Sequence, residues 1–341
     1  MSTANENGMN NTETEYMDKR ITEESTVSVE MAPMEGITTA VFRRVYSKWF
    51  EGVDRMYTPF LVANRTHKFK TREKKEIEAC SQDLVPQILT DKAEHFIWAA
   101  HEIYKAGFRE VNLNAGCPSA TVTTKKKGAG MLEDTRALNS FLDEIFTAKE
   151  NGDFPEISIK TRVGVSSYTE AEDIADIYAR YPFSRVIVHP RIRDDFYKNV
   201  PDPDAFRVFY DRISHDKLVY NGDLKTAEDV KSVCRDFPGL SGIMIGRGLL
   251  ADPFLPKRIC MGDDNERPLF SDGEKKILLG FLEELYEAYE RELSAGTAIV
   301  KMKDLWNFMS VSFPEHGKQL KAISKSRNAG EYRSAVRNCL R

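Results

Sequence analysis

The sequence predicts an α/β fold, a (β/α)8 TIM barrel followed by a small C-terminal helical domain. Three observations carry this expectation. Eight short β-rich runs recur from residue 27 onward, most of the gaps between them carry a helical apolar pattern, and beyond Pro268 only helical periodicity remains. Strands that alternate with helices imply parallel pairing through crossover helices. Eight such units over residues 28–262 match the usual size of a closed barrel. An open doubly wound sheet is the alternative, but no G-x-G-x-x-G follows the first strand, so its usual signature is missing.

Residues 1–26 are rich in Asn, Thr, Ser and Glu and hold six acids against two bases, which predicts a disordered acidic tail. The barrel is expected over residues 27–262. Its strands are predicted at Val27–Met31, Arg55–Thr58, Leu84–Ile88, Val111–Asn114, Ile157–Lys160, Val186–His189, Leu218–Asn221 and Gly242–Ile245. Pro86 weakens the third, because proline removes a ladder donor. Helical patterns fill the gaps, as at Ala93–Ala106 and Thr135–Ala148. The helical domain is expected over residues 270–341, with the boundary near 262–272. Ile277, Leu278, Phe281, Leu282, Leu285 and Tyr289 fall at the three-and-four spacing of an amphipathic helix. Further helices are predicted at Ala298–Met309 and within Lys318–Leu340.

Composition narrows the function classes. With 41% hydrophobic and 30% charged residues the chain can bury a core and stay soluble, and a net charge of −4 does not mark a nucleic-acid binder. The charge is unevenly placed, however. Residues 318–341 hold seven bases against Glu331, a net of +6 that suits phosphate contacts or a solvated helix face. The five cysteines are scattered and form no C-x-x-C pair, which argues against disulfides or zinc and for a reducing compartment. No run approaches membrane-spanning length, about 18 residues. A cytoplasmic, monomeric protein with no metal and no membrane contact is expected.

Polar residues close the predicted strands: Gln87, Asn114, Lys160, His189 and Asn221. Five at equivalent positions suggest one polar ligand at the barrel mouth, where loops leaving strand C-termini build active sites. Gly246-Arg247-Gly248 and Asn221-Gly222-Asp223 end the last two strands and together read as a phosphate site. Lys160 is assigned to the mouth, where an ammonium stabilises negative charge. Arg162 is assigned to the other side, in a surface or inter-loop salt bridge. The first strand runs into Pro33-Met34-Glu35-Gly36, a small-residue turn able to line a flat cofactor. The longest loop leaves the fourth strand and carries Asn114-Ala115-Gly116-Cys117-Pro118. A thiol between glycine and proline on such a loop is placed for chemistry, whereas Cys80, Cys234, Cys260 and Cys339 have no comparable setting.

These pieces resemble the flavin-dependent tRNA-dihydrouridine synthases, from about Met31 to Phe254. The residues that carry the resemblance are Ala32-Pro33-Met34-Glu35-Gly36, Pro86-Gln87, Asn114–Pro118, Gly128-Ala129-Gly130, Lys160–Gly164, Val188-His189, Asn221–Asp223 and Gly246–Gly248. The resemblance implies FMN across the barrel mouth, edged by Pro33, Met34 and Glu35, with Gln87 and Lys160 on its polar side. It places Asn221, Gly222, Asp223, Gly246 and Arg247 at the phosphate, with His189 close by. It also implies Asn114 on the target uracil and Cys117 as the acid that protonates C5, after NADPH (or NADH) has reduced FMN and hydride has reached C6. The partner implied is tRNA, gripped by Arg65–Lys75, Lys125–Lys127 and the helix bearing Lys301, Lys303 and Trp306. Two departures stand at the mouth: Thr58 precedes Pro59 instead of Glu, and His189 precedes Pro190-Arg191-Ile192 instead of Gly-Arg-Thr. Two other readings remain. One is an FMN barrel acting on a free pyrimidine or other small enone, as in dihydroorotate dehydrogenases. The other is an RNA-binding barrel without catalysis, against which Cys117 and Lys160 argue.

Overall fold

The computed structural model describes residues 27–341 apart from 79, 80, 82 and 263–269. The acidic segment 1–26, Cys80 and most of the predicted domain boundary lie outside the described residues. All eight predicted runs contain strand. In chain order the strands are β1 (Ser28–Met31), β2 (Arg55–Tyr57), β3 (Leu61–Val62), β4 (Leu84–Val85), β5 (Gln87–Leu89), β6 (Glu110–Ala115), β7 (Glu156–Gly164), β8 (Val186–Ile192), β9 (Leu218–Tyr220) and β10 (Gly242–Ile245).

Every ladder is parallel, and the ring closes. β1 pairs with β10 on one side and β2 on the other, β2 pairs with β4, and β5 pairs with β6. β4 and β5 are one predicted strand, parted only by Pro86. The proline has no amide hydrogen to give the ladder, but its carbonyl still accepts from the Asn112 amide at 2.9 Å. One segment thus serves β2 with its first half and β6 with its second. β3 is an addition that pairs beside β5, and β7 and β8 run three or four residues beyond the predicted ends.

The barrel's interior is divided. A compact apolar cluster of Ala32, Tyr57, Val85, Ile187, Val219 and Met244 packs between β1, β2, β4, β8, β9 and β10. Across from it, β5, β6 and β7 contribute buried Gln87, Asn112 and Ser158. The larger apolar cluster lies between the strands and the surrounding helices and continues without a break into the C-terminal helices. Those helices are Asp272–Glu292, Ala295–Met309, Gly317–Lys325 and Ala329–Cys339. The first starts at a capping box, in which Ser271 accepts from the Glu274 amide and the Glu274 side chain accepts from the Ser271 amide. It packs on helix Ala40–Trp49: Phe281 meets Phe42 and Phe50 edge-to-face at 6.1 and 4.9 Å, and the Trp49 indole donates to Glu284 at 2.8 Å.

Candidate active site

The loops leaving β1, β7, β8, β9 and β10 enclose one cleft. Its lining includes nine of the residues singled out in the sequence: Pro33, Met34, Lys160, His189, Asn221, Gly222, Asp223, Gly246 and Arg247. They converge because parallel strands deliver their C-terminal residues to the same end of the barrel. Gly248 allows the last of these loops to close: a Cβ there would stand 2.0 Å from the Leu224 carbonyl oxygen.

The cleft is electropositive. Its lining carries Lys160, Lys225 and Arg247 against one carboxylate, Asp223. Burial pushes the Asp223 carboxyl upward, but hydrogen bonds and charge from Arg191, with Arg247 and Lys225, outweigh it and hold the group below the ordinary range. Arg191 grips it with two bonds of 3.1 and 2.6 Å. Arg191 also approaches His189 Nε2 at 3.0 Å. A guanidinium can only donate, so Nε2 accepts and the ring's proton sits on Nδ1. Burial, then Lys160, Arg162, Arg191 and Arg247, drives the His189 pKa well below its usual value, so the ring is neutral.

Lys160 joins this cleft to the Cys117 loop. Burial, with Arg162 beside it, lowers the ammonium to about 7, while Cys117 acts in the opposite direction. The Cys117 thiol is half-buried and free. Burial raises its pKa above the ordinary cysteine value, and the Ser119 amide, Lys160 and Arg162 only partly offset that. Its loop is held at four backbone atoms. Asn114 Oδ1 accepts from the amides of Gly116 and Cys117 at 3.1 and 3.0 Å, Arg162 Nε donates to the Gly116 carbonyl at 3.1 Å, and the Ala129 amide donates to the Cys117 carbonyl at 3.0 Å.

Arg162 corrects the expectation made for it. Residues two apart on a strand share a face, so Arg162 points the same way as Lys160. It is 1% exposed and binds carbonyls rather than a carboxylate: Gly116 on one side, Ile192 and Phe196 on the other, the last two at 2.7 and 2.6 Å. It therefore ties the thiol's loop to the loop after β8. Glu35 is exposed, pairs with Arg72 at 2.8 Å, and lines a neighbouring groove toward Tyr289 and Lys301. Gln87 is fully buried and, like Asn114, has each end of its amide engaged within the protein.

Sequence reasoning missed Arg191 and Tyr197. Arg191 stands two residues after His189 on β8, and that spacing was the available signal. Tyr197 lines the cleft with its ring 4.6 Å from the Arg247 guanidinium, 5.3 Å from that of Arg162 and 6.1 Å from the His189 ring. Phe196 before it has φ 51°, an unusual value for a bulky residue. The expected basic-aromatic helix is largely tied down. Lys301 donates to the Gly36 carbonyl at 2.7 Å, Lys303 donates to that of Ser326, and the buried Trp306 donates to Tyr332. Of the seven C-terminal bases, Arg333 and Arg337 pair with Glu287 and Glu283. Among the described residues there is no cluster fit to hold a metal ion, and no helix is long and apolar enough to cross a membrane.

The family model for dihydrouridine synthase (Dus) matches residues 30–336. A probable tRNA-dihydrouridine synthase of Staphylococcus aureus (strain COL) is 30% identical over 237 residues, 66% of this chain and 69% of that protein. The tRNA-dihydrouridine(16) synthase of Ralstonia nicotianae is 26% identical over 318 residues, 91% of this chain and 95% of that protein. Among solved structures, a morphinone reductase variant in complex with tetrahydroNAD superposes with a TM-score of 0.50 at 12% identity, over 71% of this chain and 88% of that one. That likeness is one of fold, a parallel barrel, and the family match extends from β1 into the last helix. This chain belongs to the dihydrouridine synthase family.

Proposed function

We propose that this protein reduces uridine in tRNA to 5,6-dihydrouridine, with FMN as its resident cofactor and NADPH (or NADH) as electron donor. The observation that carries the reading is the Cys117 thiol, kept protonated by burial and coupled through Lys160 to an electropositive cleft. Lys225 and Arg247, with the lone carboxylate Asp223 already engaged by Arg191, suit the phosphate of a flavin mononucleotide. Asn221, Gly222, Asp223, Gly246 and Arg247 would hold that end, with His189 as a neutral Nδ1–H donor beside it. Pro33 and Met34 would edge the ring, and Lys160 would face its polar side. When bound, the cofactor supplies hydride to one face of the base.

The chain's own residues handle the proton. C5 of the base needs one as hydride arrives at C6, and a thiol whose pKa burial holds above the ordinary cysteine value remains an acid through neutral pH. Arg162 and Asn114 fix the loop that presents this thiol. Exposed Lys68, Lys70, Lys125 and Lys126 at the mouth, with the unpaired part of the C-terminal charge, supply phosphate contacts for RNA.

The test uses purified protein, FMN, NADPH and tRNA lacking dihydrouridine, with the product mapped by mass spectrometry. Cys117→Ala is expected to retain flavin and its reduction by NADPH while losing nearly all tRNA product. Wild-type protein that reduces a free pyrimidine but leaves every tRNA position unchanged would transfer the assignment to the small-substrate reading.

A further inference from the structure

The geometry points to Asn112 and Ser158 as positioning residues that set the orientation of the Cys117 loop through a one-way chain of hydrogen bonds. The inference rests on the reading of Cys117 as the proton donor. Neither residue lines the cleft, and both are completely buried inside the barrel.

The chain's polarity is fixed from one end. Asn114 faces two backbone donors, the amides of Gly116 and Cys117, and only its Oδ1 can accept from them. Its Nδ2 must then face Gln87, and it donates to Gln87 Oε1 at 2.7 Å. Gln87 is thereby obliged to turn Nε2 toward Asn112, where it donates to Oδ1 at 2.8 Å. Asn112 in turn donates through Nδ2 to Ser158 Oγ at 3.0 Å. Ser158 ends the chain by donating to the Val111 carbonyl at 3.4 Å.

Strand register brings the members together, with Gln87 opposite Asn112 and Asn112 opposite Ser158. Read from Asn114 inward, each amide has one acceptable orientation. If Asn112 cannot accept from Gln87, the buried Gln87 Nε2 loses its acceptor, and turning the Gln87 amide over only passes the conflict to Asn114. Asn114 would then meet a donor with its own donor, and a flip of Asn114 would set its NH2 against two backbone N–H groups. A buried donor left facing a donor or without an acceptor is costly. The loop bearing Cys117 would move to avoid it.

The experiment measures Asn112→Leu, which is close in volume but cannot accept, and Ser158→Ala, which trims a single hydroxyl, in the full-length flavin-bound protein. The first readout is the rate at which iodoacetamide alkylates Cys117 as a function of pH, followed on its own peptide by mass spectrometry. A loosened loop admits water to the thiol, so alkylation of Asn112→Leu is expected to quicken about tenfold and its midpoint to move to lower pH, with Ser158→Ala shifted the same way by less. The second readout is a double-mutant cycle: in an Asn114→Ala background, Asn112→Leu should add almost nothing. Turnover on tRNA should fall about tenfold or more while KM for tRNA holds.

An unchanged alkylation profile in Ser158→Ala together with either an unchanged profile or no soluble protein for Asn112→Leu would overturn the assignment. So would an Asn112→Leu effect that persists in full beside Asn114→Ala. The alkylation readout does not depend on the reaction. If wild-type protein made no dihydrouridine, the proposed function would fail while the positioning chain was still decided.

Discussion

The Ala129 amide donates to the Cys117 carbonyl over 3.0 Å, so the Gly128-Ala129-Gly130 turn forms the floor beneath the thiol's loop. Gly128 has φ +56°, and a Cβ added to it would meet the Cys117 carbonyl oxygen at 2.8 Å and the Cys117 Cβ at 3.0 Å. The spacing between the cysteine and the glycines is thus a packing requirement. Gly128→Ala is expected to cost about 1–3 kcal/mol of stability. It should also depress tRNA turnover more than flavin binding. Thermal denaturation and flavin absorbance on one preparation would separate the two effects.

Lys160 gives flavin binding a pH dependence of defined sign. The free protein holds its ammonium near 7, below the ordinary lysine value, through burial and Arg162. An anionic cofactor beside it would raise that pKa. Affinity is then greatest below about pH 7 and declines as pH rises toward the bound-state value, and binding at pH 8 takes up a proton. Titration calorimetry in buffers of different ionisation enthalpy would read the uptake directly. Lys160→Met should abolish it, and uptake that survived this change would point to another group.

A second titrating group lies at the opposite end of the barrel. Glu30 is fully buried, accepts from Tyr57 at 2.9 Å and pairs with Arg185 at 2.7 Å. Burial dominates and raises its carboxyl from 4.5 to about 7, against the pull of Arg185, the Tyr57 hydrogen bond and Arg55. A carboxyl with a raised folded pKa stabilises the protein fully below the unfolded value, and that contribution fades as pH rises through the folded one. Stability measured with urea should therefore lose a component between pH 4.5 and 7 that Glu30→Gln does not lose. Parallel curves for the two proteins across that window would refute the assignment.

The C-terminal helices also support the barrel. Phe281 is fully buried against Phe42 and Phe50. Phe281→Ala should cost about 3–5 kcal/mol. Deleting residues 270–341 should leave the remaining chain insoluble rather than active on small substrates, because it would expose the core face of helix Ala40–Trp49. Solubility and near-ultraviolet circular dichroism of the shortened chain would decide this. For the same reason, the RNA role of the C-terminal segment is better tested by reversing Lys318, Lys321 and Lys325, which are all exposed.

Much of this architecture was legible because it rests on period and order. Strand–helix alternation located every barrel strand except the short β3, and the polar residues Lys160 on β7, His189 on β8 and Asn221 after β9 led to a common cleft, because parallel strands run toward the same end of the barrel. What stayed hidden depends on contacts far apart in sequence. Tyr197 lies on a loop whose path is set by Arg162, 35 positions earlier, through the Phe196 carbonyl. Arg162 itself was sent to the wrong side although the two-residue spacing from Lys160 placed them together. Asn112 and Ser158 sat within runs read as apolar, where a polar side chain gives no local sign of pairing across strands. Glu35 adjoins Met34, but the turn after β1 sends it into the neighbouring groove.

The packing of helix Asp272–Glu292 on helix Ala40–Trp49 bears on how relatives can be recombined. A chimera that joins this barrel to another family member's C-terminal segment must preserve the fit of Phe42, Trp49 and Phe50 as well as a splice point near residue 270. The natural unit of exchange is therefore the C-terminal helices together with the outer face of a helix more than 200 residues upstream. Sequence divergence in either half constrains the other, and transplanted substrate preference will travel only with both.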